Sequence, residues 1–130
     1  MIVLDTHIWL WWINRDPSRL KPAWTARIES AEPVGVSAIS CFEVAWLTDH
    51  GRIELPIPED DWFDKALAGS GIALLPITQR IARTAVRLPE HHRDPQDRLI
   101  IATAMVHDAV LISVDEKFSA YAELTGRLIV

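Results

Sequence analysis

Short, wholly apolar runs recur along this chain, each separated from the next by a longer segment of helical periodicity. That alternation restricts the fold more than any other feature. Ile2 to Leu4, Val34 to Ser37, Ile72 to Ile77, Val110 to Val114 and Leu128 to Val130 read as strands. Between them, helices are expected over Thr6 to Asn14, around Leu20, Trp24 and Ile28, from about Cys41 to His50, over Asp61 to Ala68, Gln79 to Arg87, Pro95 to Asp108, and Glu116 to Leu124. Gly51 is placed to cap the third of these, and Asp94 to N-cap the helix that opens on Pro95. Strands without polar alternation are buried on both faces, and strand–helix alternation makes them parallel. The expected fold is therefore a three-layer α/β/α sandwich over residues 1–130, one domain, with about five strands in the order 3-2-1-4-5.

Composition narrows the function classes. The formal net charge of -5 argues against binding nucleic acid through bulk positive charge, though not against a nuclease whose acids hold cations. No run is apolar enough to span a membrane. The opening Met1-Ile2-Val3-Leu4-Asp5 has neither the basic region nor the cleavage site of a secretory signal, so a cytoplasmic chain is expected. Cys41 is the sole cysteine, which excludes an internal disulfide. His7, His91, His92 and His107 lack a recognisable metal-ligand spacing and read as structural or surface residues.

The chemistry lies in the acids. Two strands run into aspartate, at Asp5 and Asp115, and the expected order makes those strands neighbours. Glu43 and Asp97 fall in expected first turns of helices that face the same sheet edge. Four converging carboxylates repel one another, and no lysine or arginine in these strand ends is an evident counter-ion. Hard divalent cations resolve that conflict, and an acid-lined site of this kind suits phosphodiester hydrolysis. Each acid also has a plainer role. Asp5 and Asp115 can end strands, Asp97 can complement a helix dipole, and Ser40 with Glu43 has the spacing of a capping box.

These segments resemble the PIN-domain ribonucleases, and in particular the VapC-type toxins of toxin–antitoxin pairs. Ile2-Val3-Leu4-Asp5-Thr6-His7 resembles the family's first strand and first metal ligand, and Val36 to Ala45 its glutamate segment. His92-Arg93-Asp94-Pro95-Gln96-Asp97-Arg98-Leu99-Ile100-Ile101-Ala102 resembles the helix with the third acid, and Ile112-Ser113-Val114-Asp115 the fourth-acid motif, with serine where threonine is common. The resemblance implies a PIN-like fold and an endoribonuclease using Mg²⁺ or Mn²⁺ held by Asp5, Glu43, Asp97 and Asp115, with Asp94 as a further candidate. It also implies an RNA substrate, a homodimer and a small antitoxin partner.

Thr6, Ser113, Arg93, Arg98 and Lys117 flank the acids and are candidates for contact with substrate, with capping and surface charge as their other roles. Arg80, Arg83 and Arg87 read as a solvated stripe. The helix bearing Trp9, Trp11 and Trp12 is apolar nearly all round, so these three either fill the core or meet a partner. The nearest alternative is a PIN-like nuclease of RNA processing that acts without an antitoxin, and a metal-dependent cleavage assay separates the enzyme from a catalytically inactive binding module. Two other rivals fit less well. A receiver domain wants an aspartate after the third strand, where Leu75-Pro76-Ile77-Thr78 stands. A haloacid-type phosphatase wants one at His7.

Overall fold

The computed structural model describes residues 1–30 and 32–130. Its strands are β1 (Ile2–Leu4), β2 (Val34–Ser37), β3 (Ala73–Leu75), β4 (Val110–Ile112) and β5 (Leu128–Ile129). Its α-helices are α1 (Thr6–Ile13), α2 (Pro22–Ile28), α3 (Ala38–Asp49), α4 (Glu59–Ala66), α5 (Gln79–Arg87) and α6 (Pro95–Val106). All strand pairs are parallel and the order is β3-β2-β1-β4-β5, as expected. Val3 stands opposite Gly35 on one side and Leu111 on the other, which makes β1 the centre of the sheet.

The three layers follow from the two-residue repeat of the strands. Ile2 and Leu4 point into a core shared with Trp9, Ile13, Trp24 and Trp62 of α1, α2 and α4. Val3, one residue out of phase, points into the opposite core with Ile100, Ile101 and Ala104 of α6. Helix α5 packs on α6 through Ile81, Ala85 and Ala102. Its bounds match the amphipathic segment read from sequence, and Thr78 caps it by accepting from Ile81 N at 3.2 Å.

Several expectations need correction. Helix α3 does not start near Cys41; it follows β2 directly at Ala38, with Ser37 as its cap, accepting from Ile39 N at 3.2 Å. Ser40 lies inside the helix, so it forms no capping box with Glu43, and Glu43 sits in the second turn rather than the first. The chain after β4 forms two short 3-10 segments, Glu116–Ala120 and Ala122–Leu124, where one helix was expected. Gly51 does close α3, just past its C-cap His50, at φ +66° in the left-handed region that glycine enters without strain.

Trp9 is not a partner-facing residue. It is fully buried, its Nε1 donates to Ala66 O at 3.0 Å, and its ring meets Trp62 edge-on at 5.1 Å. Trp11 and Trp12 are half-buried against the same core, Trp11 stacking on Trp24 at 6.4 Å. Trp9→Ala is expected to lower unfolding free energy by ~3–5 kcal/mol in urea titrations, the range for a large buried aromatic. Trp12→Ala should cost clearly less, because its side chain keeps solvent on one side.

Candidate metal centre

Parallel strands share one C-terminal edge, and the site is assembled there. Asp5 follows β1 and is the N-cap of α1: its Oδ1 accepts from Thr6 N at 2.8 Å. Its Oδ2 accepts from Ser113 Oγ at 2.6 Å, one residue beyond the end of the neighbouring strand β4. Ser113 Oγ in turn accepts from Asp115 N at 3.0 Å, and Thr6 Oγ1 donates to Ser40 Oγ at 2.9 Å. A continuous polar network thus ties together the ends of β1 and β4 and the start of α3. Glu43, three residues after Ser40, lies on the same side of α3.

Asp97 arrives from another direction. Helix α6 feeds the start of β4, so its N-terminus lies at the strand C-terminal edge. Asp94 is its N-cap, accepting from Gln96 N at 2.9 Å, and Asp97 falls in its first turn, as expected.

These acids sense one another. Burial, and then the charges of Asp5, Asp94, Glu43 and Asp115, push the Asp97 carboxyl up to about 7. Burial also raises Asp5, against the hydrogen bonds from Ser113 and Thr6, and raises Glu43, against the Thr6 hydroxyl. Among the described residues, no lysine or arginine lies within 4.0 Å of Asp5, Glu43, Asp97 or Asp115 as an ion-pair partner. A half-buried carboxylate cluster without a basic partner suits a divalent cation with oxygen ligands.

His92, assigned from sequence to structure or surface, belongs to this site. Its Nε2 lies 3.3 Å from Asp115 Oδ2. Ligand atoms of His92, Asp97 and Asp115 all fall within 4.8 Å of one another. The usable sequence signal was its place in the loop that enters the Asp94 cap, next to an acid already singled out.

The flanking candidates separate. Thr6 and Ser113 are fully buried, so they hold Ser40 and Asp5 and do not face substrate. Arg98 is engaged by its own chain: Nη1 donates to Pro89 O at 3.0 Å and His92 O at 3.2 Å, and Nη2 to Val86 O at 3.1 Å and Leu88 O at 2.8 Å. That engagement runs against a phosphate-binding role and makes it a staple for the loop between α5 and α6. Arg93 and Lys117 remain exposed at the rim. Arg93 borders an open cavity of about 540 Å³ that His92 also lines.

Comparison with known proteins decides the family. The PIN domain model matches residues 2–124. The chain belongs to the PIN-domain family. This PIN domain is 39% identical over 121 residues to Ribonuclease VapC22 of Mycobacterium tuberculosis, covering 92% of this chain and 91% of that one. Solved structures share the fold. A toxin–antitoxin complex from Klebsiella pneumoniae aligns at TM-score 0.67 and 20% identity, over 100% of this chain and 97% of that one. VapBC2 from Rickettsia felis, bound to a promoter DNA fragment, aligns at TM-score 0.72 and 18% identity, over 99% and 98%.

The raised carboxyl of Asp97 has a sign that stability measurements can read. A folded pKa of about 7 against an ordinary 3.8 means the folded state holds the proton more tightly. The metal-free protein therefore loses stability as pH rises from about 4 through about 7. Asp97→Asn is expected to melt above the wild type at pH 8 without metal, with the gap closing towards pH 4. A gap that does not change with pH would separate Asp97 from the cluster.

Proposed function

We propose that this PIN domain hydrolyses RNA phosphodiester bonds as the toxin of a toxin–antitoxin pair, with Asp5, Glu43, Asp97 and Asp115 holding Mg²⁺ or Mn²⁺. The observation that carries the reading is the convergence of these carboxylates around Asp97 without a basic counter-ion, in a chain so similar to a ribonuclease. A bound divalent ion would supply Lewis acidity to the scissile phosphate and to the attacking water.

The remaining chemistry belongs to the chain itself. Asp5 is kept in place by donors on both oxygens, and Asp115 is fixed by Lys117 N, which donates to its Oδ1 at 2.9 Å. Each of those oxygens keeps a lone pair for the cation. Asp94 caps α6 and adds negative charge beside Asp97, and it stays a further candidate ligand. The exposed Arg93 and Lys117 are placed to meet RNA phosphates and offset the acids during approach. As partners we assign a small antitoxin and a second copy of the chain. The half-buried Trp12 lines an open groove of about 1000 Å³ with Leu20, Pro22 and Lys65 beside α1, the surface we assign to a partner segment.

A quenched fluorescent RNA tests the activity. Cleavage is expected with Mg²⁺ or Mn²⁺, to stop with EDTA, and to return when metal is restored in excess. Glu43→Gln keeps the size and one oxygen of the side chain but removes its charge. It should lower cleavage by about 100-fold or more, the scale of losing a group that acts on developing charge, while metal-free melting stays level or rises. Wild-type cleavage by Glu43→Gln across a full metal titration would break the four-acid reading.

A further inference from the structure

His92 is held more firmly than a surface histidine needs to be. Its side chain is only 10% exposed. Its ring stands edge-on to Phe118 at 5.2 Å and stacks on Tyr121 at 5.6 Å. Its backbone N–H donates to the Tyr121 hydroxyl at 2.9 Å, and its carbonyl accepts from Arg98. The ring is therefore fixed from three sides with Nε2 facing Asp115 Oδ2.

Two roles fit that distance. Nε2 can donate to the carboxylate, or its lone pair can join Asp97 and Asp115 as a metal ligand. The other ring nitrogen discriminates between them. Nδ1 is buried and has no hydrogen-bond partner among the described residues. Ligation through Nε2 puts the proton on Nδ1, and ligating histidines almost always hand that N–H to an acceptor. Here the proton would be a buried donor with nothing to receive it, while the Nε2 lone pair would face an anionic oxygen. The opposite tautomer leaves only a buried lone pair unmatched and gives Asp115 a donor.

We propose that His92 is a positioning residue, donating from Nε2 to Asp115 Oδ2, and not a ligand of the centre. With Lys117 N on Oδ1, this places a donor on each oxygen of Asp115 and fixes its plane relative to Asp97. The inference rests on the metal-centre reading above, and it assigns Asp115 an orienting partner as Ser113 and Thr6 orient Asp5.

Three readouts test it without RNA. Imidazole ¹⁵N–¹H correlation spectra of the metal-free protein should show His92 protonated on Nε2 and bare on Nδ1. Mn²⁺ affinity by calorimetry should fall about 10-fold or more in His92→Phe, the scale of losing an outer-shell partner. His92→Gln, which retains a donor, should recover most of it. Pulsed EPR of the Mn²⁺ form should show no directly coordinated ¹⁴N. Melting curves of both metal-free variants confirm that they fold, and Gln carries the test if Phe does not. A proton on Nδ1, a coordinated ¹⁴N signal lost in His92→Gln, or unchanged affinity in a folded His92→Phe overturns the proposal. A wild type without Mn²⁺ affinity overturns the centre itself, whereas normal affinity with the other tautomer overturns the role of His92 alone.

Discussion

The parallel pairing of β1 with β4, Leu4 opposite Ile112, sets Asp5 beside Ser113, and the site is arranged around that contact. A carboxylate 7% exposed is costly to ionise, and the charge of Asp115 adds to that cost. The fold meets the cost by distributing donors. Thr6 N serves Asp5 as a helix cap, Ser113 serves its second oxygen, and Asp115 N completes the chain of hydrogen bonds back to Ser113. At Asp97 burial and the charges of the neighbouring acids act together, and its carboxyl is pushed up to about 7. Strain of this kind, concentrated at one edge of an otherwise well-packed sheet, is a usual companion of function.

Legibility in the sequence followed the range of the interactions. Features set by a few adjacent residues were readable: the Asp94–Pro95 start of α6, the bounds of α5, the glycine that closes α3. The strand order was also readable, because unbroken apolar strands alternating with helices leave few parallel arrangements. Competition among local signals misled. Ser40 has the capping-box spacing with Glu43, yet Ser37 is the cap and Ser40 is engaged instead with Thr6, 34 residues away. Long-range partners were invisible. Arg98 looks like a phosphate ligand until four carbonyls from Val86, Leu88, Pro89 and His92 surround it. Trp9 could fill the core or meet a partner, and only the packing of Trp62 against it decides for the core. His92 gains meaning only when the chain returns with Asp115 and Tyr121.

The wide separation of Asp5 and Ser113 has a consequence for how the protein is made. Their hydrogen bond spans 108 residues. At roughly 5–20 residues per second, about 5–20 s of synthesis separate the two residues. Throughout that interval Asp5 has neither its second donor nor Asp115 beside it. An RNA-cutting centre so divided is incomplete for most of translation, while the messenger and ribosomal RNA that produce it lie within reach.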